Sequence, residues 1–252
     1  MCTLAIFFDV FDGYPLVVAA NRDERYDRPA TPPALISADP KIVAGKDLRA
    51  GGTWLGVSEH GLLIGILNRR MNRESSLHSQ ARSRGLLCLD LLRLRSAAEA
   101  GEFLSRHGET YNPFTVLYAD AKTAGVAFNN ENGIILRPLS SGLHVFSSAA
   151  EIDTTSGKAE RAYNRFMGCA AELSPQTESA PWLARFKTLL GDHNAVSEKE
   201  PRDAVCIHGQ ESGTVSSSVI YYSSIRRRFE TYFCAGAPCQ NSFGASLALA
   251  VL

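Results

Sequence analysis

Strand-like and helical segments occur in separate blocks along this chain, and this order constrains the fold more than its composition does. Short apolar runs bounded by Gly, Pro and polar residues are typical of strands. They fall at residues 3–8, 16–21, 41–44, 53–58, 61–68, 114–119, 124–129, 133–138, 143–148, 203–207, 214–223 and 229–234. Because strands and helices do not alternate, we expect an α+β fold of two mainly antiparallel sheets with helices on their outer faces, and a single domain over 1–252.

Helical periodicity separates the blocks of strands. Leucines at helical spacing predict a first helix near residues 86–94. Ser96 and Glu99 form a capping box, which predicts a second helix to about residue 107. Thr155 or Ser156 is the expected cap of a third helix. That helix is predicted to run through residue 173, and a fourth to lie near 181–190.

Charge and composition exclude several classes of protein. Lys and Arg number 26 and Asp and Glu number 26, so the chain lacks the basic excess with which nucleic-acid binders neutralise phosphates. No apolar stretch approaches the roughly 20 residues that cross a bilayer, and no basic leader precedes the first apolar run. Six cysteines without a disulfide framework are typical of a reducing compartment. We therefore expect a cytoplasmic protein without a transmembrane segment.

The second residue is a cysteine, which gives the chain a candidate nucleophile. If Met1 is removed, the thiol of Cys2 and a free α-amine share one Cα. The pKa of an α-amine is ordinarily about 7.7–8.0, so this group can act as the base for its own side chain. The alternative is that Cys2 is only the second residue of a buried strand.

The first two apolar runs predict a β-hairpin that brings charged residues to Cys2. A turn near residues 11–12 pairs residues whose numbers sum to roughly 23 or 24, which places Cys2 opposite Asn21 or Arg22. Arg22 would favour the thiolate, and Asp23 would hold the ammonium group. The alternative is that these charges belong to a solvated strand end.

Several motifs occur in an order that resembles a known family. They are MC at 1–2, NRDE at 21–24, GGTWLG at 51–56, ILNRR at 66–70, SRGLL at 83–87 and YNPF at 111–114, with weaker matches IDTTSGK at 152–158 and HG…GTVSSSV at 208–219. In these motifs the chain resembles the NRDE family, also called the transport and Golgi organisation protein 2 family. The resemblance covers about 1–225 and leaves 226–252 unmatched.

The resemblance implies a four-layer αββα fold similar to N-terminal nucleophile hydrolases, such as bile salt hydrolases and penicillin V acylases. Those enzymes cleave linear amides with an N-terminal cysteine. Carried over, Cys2 is the nucleophile and Asp23 matches the aspartate that follows the second strand. The hydrolases have their arginine where this chain has Ala20, so Arg22 is an approximate substitute. Asn68, at the end of its strand, is the expected oxyanion donor.

Two departures from the family pattern bear on the candidate site. Ser148 replaces an asparagine at a strand end, and Val215 stands where a cation is expected. A hydroxyl can still donate a hydrogen bond, whereas valine cannot supply a charge. The residues that we expect to bind substrate are Asn21, Glu24, Trp54, Arg69 and Ser148.

Other motifs give no case for a metal or a cofactor. Cys206 and His208 form a pair of ligands with no second pair nearby in the sequence, which is weak support for zinc. No CxxCH motif for covalent haem attachment is present. GGTWLG lacks the Lys-Ser/Thr ending of a phosphate-binding loop. We expect neither a metal nor a cofactor.

Two hypotheses for the function follow, both with a small-molecule ligand as the partner. The first is a cysteine amidohydrolase that cleaves a linear C–N amide bond in a small or acylated molecule. The second is a carrier that keeps the hydrolase-like fold without its activity. Family members have been linked to haem trafficking, acyl-CoA or lipid handling and secretory organisation, so the resemblance implies an acylated or haem-like ligand for such a carrier.

Overall fold

A computed structural model describes residues 2–69, 82–107, 111–130, 133–148, 157–170, 173, 181–194 and 203–252. Most of the polar segment between the sixth strand and the first helix lies outside these ranges. The two predicted caps of the third helix, Thr155 and Ser156, lie outside them as well. In the described part of the chain, none of the helices combines the length and apolar character needed to cross a membrane.

Thirteen strands and four helices are described. The strands are β1 (Thr3–Phe11), β2 (Tyr14–Arg25), β3 (Ala34–Ala38), β4 (Lys41–Ala44), β5 (Leu55–Ser58), β6 (Leu63–Asn68), β7 (Phe114–Ala119), β8 (Ala124–Asn130), β9 (Gly133–Pro138), β10 (Gly142–Ser147), β11 (Ser212–Ser223), β12 (Arg228–Ala235) and β13 (Leu247–Ala250). The helices are α1 (Arg84–Leu92), α2 (Ala97–His107), α3 (Gly157–Gly168) and α4 (Pro181–Leu190).

The chain divides into two compact units. The first comprises Met1–Asp27, Ser141–Arg226 and Glu230–Leu247, and the second comprises Arg28–Ser140, Arg227–Phe229 and Ala248–Leu252. The first unit holds α3, α4 and most of one sheet, and the second unit holds α1, α2 and the other sheet. The expectation of a single domain over 1–252 stays a prediction.

The first sheet has six strands in the order β10-β1-β2-β11-β12-β13. Strand β1 pairs antiparallel with β2 and with β10, and β2 pairs antiparallel with β11. Alternate side chains of β1 and β2, such as Phe7 and Val17, pack against Phe166 of α3 and Phe186 of α4 in one buried cluster. This period of two gives the sheet an apolar face that the helices cover.

The second sheet is a seven-stranded meander in the order β3-β4-β5-β6-β7-β8-β9, with antiparallel neighbours throughout. Its core joins Ile64 and Val116 of the sheet to Leu91 of α1 and Leu104 of α2. Two mainly antiparallel sheets, each with a helix pair, confirm the predicted α+β class.

One predicted strand is wrong. Residues 203–207 are not a strand: this run bends, because Cys206 N donates to Asp192 O and Ile207 N to Thr214 Oγ1. Two strands lie where none is predicted: β3 follows the prolines at 32–33, and β13 lies in the tail that no motif covers.

Two of the sequence motifs meet through their glycines in the second unit. A Cβ atom on Gly52 of GGTWLG would lie 2.2 Å from the carbonyl carbon of Gly85 in SRGLL. Thr53 N donates to Gly85 O at 3.0 Å beside this contact. Only hydrogen at position 52 allows the two backbones to approach so closely, so this part of GGTWLG is structural.

Gly52→Ala is expected to lower the free energy of unfolding by about 1–3 kcal/mol, since the added methyl must displace backbone. Urea denaturation followed by circular dichroism measures this loss. Gly168→Ala is the matched control, because a Cβ at Gly168 would meet nothing within 4 Å. Equal stability of the two variants would show that the Gly52–Gly85 contact is not tight.

Candidate active site

Cys2 lies at the start of β1, against the main chain of Asp23. Its Sγ is 3.4 Å from Asp23 N, which donates to it, and 3.6 Å from Asp23 O. The β1–β2 hairpin pairs Thr3 with Asn21, which confirms the predicted register with residue numbers summing to 24. One further step along this ladder puts Arg22 opposite Cys2. One further step along the β1–β10 ladder, which pairs Thr3 with Ser147, puts Ser148 on its other side.

The carboxylate of Asp23 is bound by a buried ammonium group and a hydroxyl. Lys158 Nζ of α3 lies 2.8 Å from Asp23 Oδ2, and the two side chains are only 1% and 3% exposed. Thr214 Oγ1 of β11 donates to Asp23 Oδ1 at 2.6 Å. Asp23 thus contacts Cys2 through its main chain and bonds Lys158 and Thr214 through its carboxylate.

Two opposing groups of interactions act on the Cys2 thiol. Burial and the negative charge of Asp23 raise its pKa, in that order of size. The hydrogen bond from the Asp23 backbone and the charge of Lys158 lower it. The net direction is upward from the ordinary value, because the thiolate loses its hydration and Asp23 repels it.

The side chain of Asn21 makes three hydrogen bonds within the first unit. Its Nδ2 donates to Leu190 O at 2.8 Å and to Val205 O at 3.0 Å, and its Oδ1 accepts from Ser217 Oγ at 2.5 Å. The residue is 1% exposed. The amide therefore ties β2 to the end of α4 and to β11, and its predicted role in substrate binding stays a prediction.

Arg22 and Glu24 lie on the same strand as Asp23, next to it on either side. Arg22 Nη2 and Glu24 Oε2 are 3.9 Å apart, and the arginine is the more buried of the two. Glu24 Oε1 also accepts from Arg25 N at 2.9 Å. Ser148 is buried at the end of β10.

Three predicted site residues belong to the second unit. Asn68 ends β6 and is exposed there. The guanidinium of Arg69 stacks over the Phe128 ring at 4.4 Å from its centroid. The ring of Trp54 packs against Gly45, where a Cβ would lie 2.9 Å from it. The roles assigned to these three residues stay predictions.

The fold also gives Cys206 and His208 the partners that the sequence did not show. His193 and Cys239 join them, and the four ligand atoms all lie within 4.8 Å of one another. No metal is expected from the sequence, because no second pair of ligands lies near Cys206 and His208 along the chain. His193 and Cys239 lie 13 and 31 residues from the pair along the chain, so only the fold brings the four together.

Lys158 is a residue of the candidate site that the sequence interpretation missed. It belongs to the IDTTSGK motif, which was noted but given no role. The sequence does carry a signal that this lysine is buried. Lys158 lies four residues before Ala162 and eight before Phe166, so helical spacing puts it on the buried face of α3. The cation that lies against Asp23 in the structure is therefore a residue of α3.

Lys158→Met is expected to cost about 3–5 kcal/mol of the free energy of unfolding, because it leaves the Asp23 carboxylate buried without its counter-charge. Chemical denaturation measures this loss. Arg25→Met is the matched control, since the Arg25–Glu211 pair on the same sheet is exposed and should barely affect stability.

Combining Asp23→Asn with Lys158→Met should restore part of that stability, because no unpaired charge then remains buried. A double variant as unstable as the sum of both single variants would contradict a direct interaction within the pair.

Comparisons with solved structures agree with the fold. Penicillin V acylase from Agrobacterium tumefaciens superposes with a TM-score of 0.59 at 12% identity, covering 93% of this chain and 83% of that one. The Caenorhabditis elegans ortholog of N-acylethanolamine-hydrolyzing acid amidase gives a TM-score of 0.55 at 12% identity, covering 87% and 92%. The predicted likeness to N-terminal nucleophile hydrolases is thereby confirmed at the level of fold.

Sequence comparison identifies the family. The mouse protein "Transport and Golgi organization 2 homolog" is 30% identical over 249 residues, which span 92% of this chain and 85% of the mouse protein. The sequence profile described as Transport and Golgi organisation 2 matches residues 1–231. The chain belongs to the Transport and Golgi organisation 2 family.

Proposed function

We propose that this protein is an N-terminal-cysteine amidohydrolase that cleaves a linear C–N amide bond in a small or acylated substrate once Met1 has been removed. The observation that carries the proposal is the contact of Cys2 Sγ with Asp23 N at 3.4 Å, next to the buried pair of Asp23 and Lys158. A thiol held at a strand end beside fixed charges is positioned for nucleophilic catalysis.

Removal of Met1 would give Cys2 a base of its own. Its α-amine takes the proton of the thiol, and the thiolate attacks the substrate carbonyl. The C–N bond breaks, the α-ammonium returns the proton to the leaving amine, and a thioester remains. Water then hydrolyses the thioester to release the acid and regenerate the thiol.

The surroundings of Cys2 fit this sequence of steps. The charge of Lys158 and the Asp23 N–H favour the thiolate form at a place where burial disfavours it. Arg22 and Ser148 flank Cys2 by extension of the two ladders. We assign Ser148 as a hydroxyl donor to the oxyanion and keep Asn68 as the predicted amide donor.

The names of the structural neighbours support the proposed substrate class. One is an acylase and the other an N-acylethanolamine-hydrolyzing amidase, so both act on acyl compounds. The six cysteines are free thiols, which supports our proposal of a cytoplasmic location.

Cys2→Ala should lower kcat/KM at least about 10³-fold on any N-acyl amide that the wild-type protein hydrolyses, because the nucleophile is lost. A panel of N-acyl amides assayed by amine release measures this, with intact mass recording whether Met1 is gone. Cys169→Ala is the control, since Cys169 is also free and half-buried. Hydrolysis that survives Cys2→Ala, or that occurs in protein retaining Met1, would contradict the proposal.

One observation favours the second candidate function, a carrier without activity. Burial and Asp23 raise the pKa of the Cys2 thiol, so with Met1 in place this group forms the reactive thiolate less readily than an ordinary cysteine does. The fold would then hold an acylated, lipid or haem-like ligand. Ligand extracted from purified protein that retains Met1 would support this function.

In protein that retains Met1, iodoacetamide should alkylate Cys2 more slowly in the folded than in the urea-unfolded chain at pH 8. The raised pKa means that the thiolate forms only as the pH rises above the ordinary range for cysteine. Peptide mass mapping of Cys2 against time measures both rates. A faster reaction in the folded chain would contradict the carrier interpretation.

A further inference from the structure

Four metal-ligating side chains converge in the first unit, outside the Cys2 site. Cys206 Sγ lies 3.8 Å from Cys239 Sγ and 3.9 Å from His208 Nε2, and His208 Nε2 lies 3.3 Å from Cys239 Sγ. The ring of His193 lies 5.0 Å from that of His208, centroid to centroid. These four residues, here called the metal-ligand cluster, come from three separate segments of the chain.

The spacing agrees with the edges of a metal-centred tetrahedron. With Zn–S of about 2.3 Å and Zn–N of about 2.0–2.1 Å, tetrahedral angles put two sulfurs about 3.8 Å apart and a sulfur and a nitrogen about 3.6 Å apart. The separations of 3.8, 3.9 and 3.3 Å lie within about 0.3 Å of these edges, and all four ligand atoms lie within 4.8 Å of one another. We propose that His193, Cys206, His208 and Cys239 bind one Zn²⁺ ion.

The ligand chemistry selects zinc among the common cations. Two thiolates and two imidazoles are a ligand set that zinc prefers, whereas magnesium and calcium require oxygen. His193 and His208 are exposed and Cys206 is buried, so an ion can enter from the solvent side. Four protein ligands close the coordination sphere, which is typical of a structural site.

The main chain holds each ligand-bearing segment in place. Cys206 N donates to Asp192 O at 2.9 Å, which fixes Cys206 beside His193. Thr214 N donates to Ile207 O at 2.8 Å, which holds the segment of Cys206 and His208 against β11. Hydrogen bonds of the main chain therefore help to hold the ligands of the cluster in position.

The turn that carries Cys239 and the ring of His193 are fixed as well. Ala237 O accepts from Gln240 N at 3.1 Å and from Asn241 N at 3.0 Å around Cys239. His193 Nδ1 lies 3.3 Å from Cys206 O. An Nδ1–H donated to that carbonyl leaves Nε2 for the metal, which is how outer hydrogen bonds orient histidine ligands.

Bound zinc would join three parts of the unit that the sequence keeps apart. His193 lies shortly after the end of α4, Cys206 and His208 precede β11, and Cys239 follows β12. Because the ion binds the folded site and not the unfolded chain, it would stabilise this unit.

The test uses the untagged full-length protein, purified with a reductant and dialysed against metal-free buffer. Elemental analysis should find about one zinc per chain, as expected for a single four-ligand site. Replacement by Co²⁺ should produce the visible bands of tetrahedral cobalt and a near-ultraviolet thiolate-to-cobalt transition. Chelation should lower the midpoint of thermal unfolding.

Variants separate the proposed ligands from other thiols. Cys239→Ser and His208→Ala should each weaken zinc affinity at least about tenfold, with the fold checked by circular dichroism. Cys169→Ser, which alters a free cysteine outside the cluster, should leave zinc affinity unchanged. The wild-type cobalt spectrum keeps the test decisive if a variant fails to fold.

Three results would overturn the zinc site. They are wild-type protein with far less than one zinc per chain, a cobalt spectrum without the thiolate transition, and zinc affinity that Cys239→Ser leaves unchanged. A Cys206–Cys239 disulfide in protein purified under reductant, found by peptide mapping, would also exclude it.

Discussion

The buried ion pair of Asp23 and Lys158 is the interaction on which the candidate active site depends. An isolated carboxylate loses several kcal/mol when it leaves water, so Asp23 is tolerable at 3% side-chain exposure only with its partners in place. Those partners, Lys158 and Thr214, lie 135 and 191 residues away along the chain. Helix α3 and strand β11 must therefore be packed on β2 before the surroundings of Cys2 exist.

The same pair sets a balance at Cys2 that removal of Met1 would change. With Met1 attached, burial and Asp23 outweigh Lys158, and the pKa of the thiol lies above its ordinary value. A free α-amine on Cys2 would add a proton acceptor on the same residue, without any movement of the fold. The two candidate functions thus require different forms of the chain, one without and one with the peptide bond between Met1 and Cys2. Removal of Met1, more than the fold, would decide between them.

Sequence patterns predicted the features that neighbouring residues determine. They missed the contacts between segments that lie far apart along the chain. The hairpin register follows from the turn and two apolar runs, so the neighbourhood of Cys2 and Asp23 could be predicted. Nothing local shows that a lysine of α3 reaches Asp23. The run at 203–207 looks like a strand because it is apolar, but its backbone bonds to Asp192 and Thr214 bend it.

One ligand of the metal-ligand cluster lies past the part of the chain that the family profile matches. That ligand is Cys239, and the profile match ends at residue 231. Thr214 connects the cluster to the candidate active site, because its hydroxyl accepts from Ile207 N at 2.9 Å and donates to Asp23 at 2.6 Å. An ion that fixes Cys206 and His208 would also fix Ile207 between them. Zinc bound at the surface would thereby hold the hydroxyl that keeps the Asp23 carboxylate in place beside Cys2.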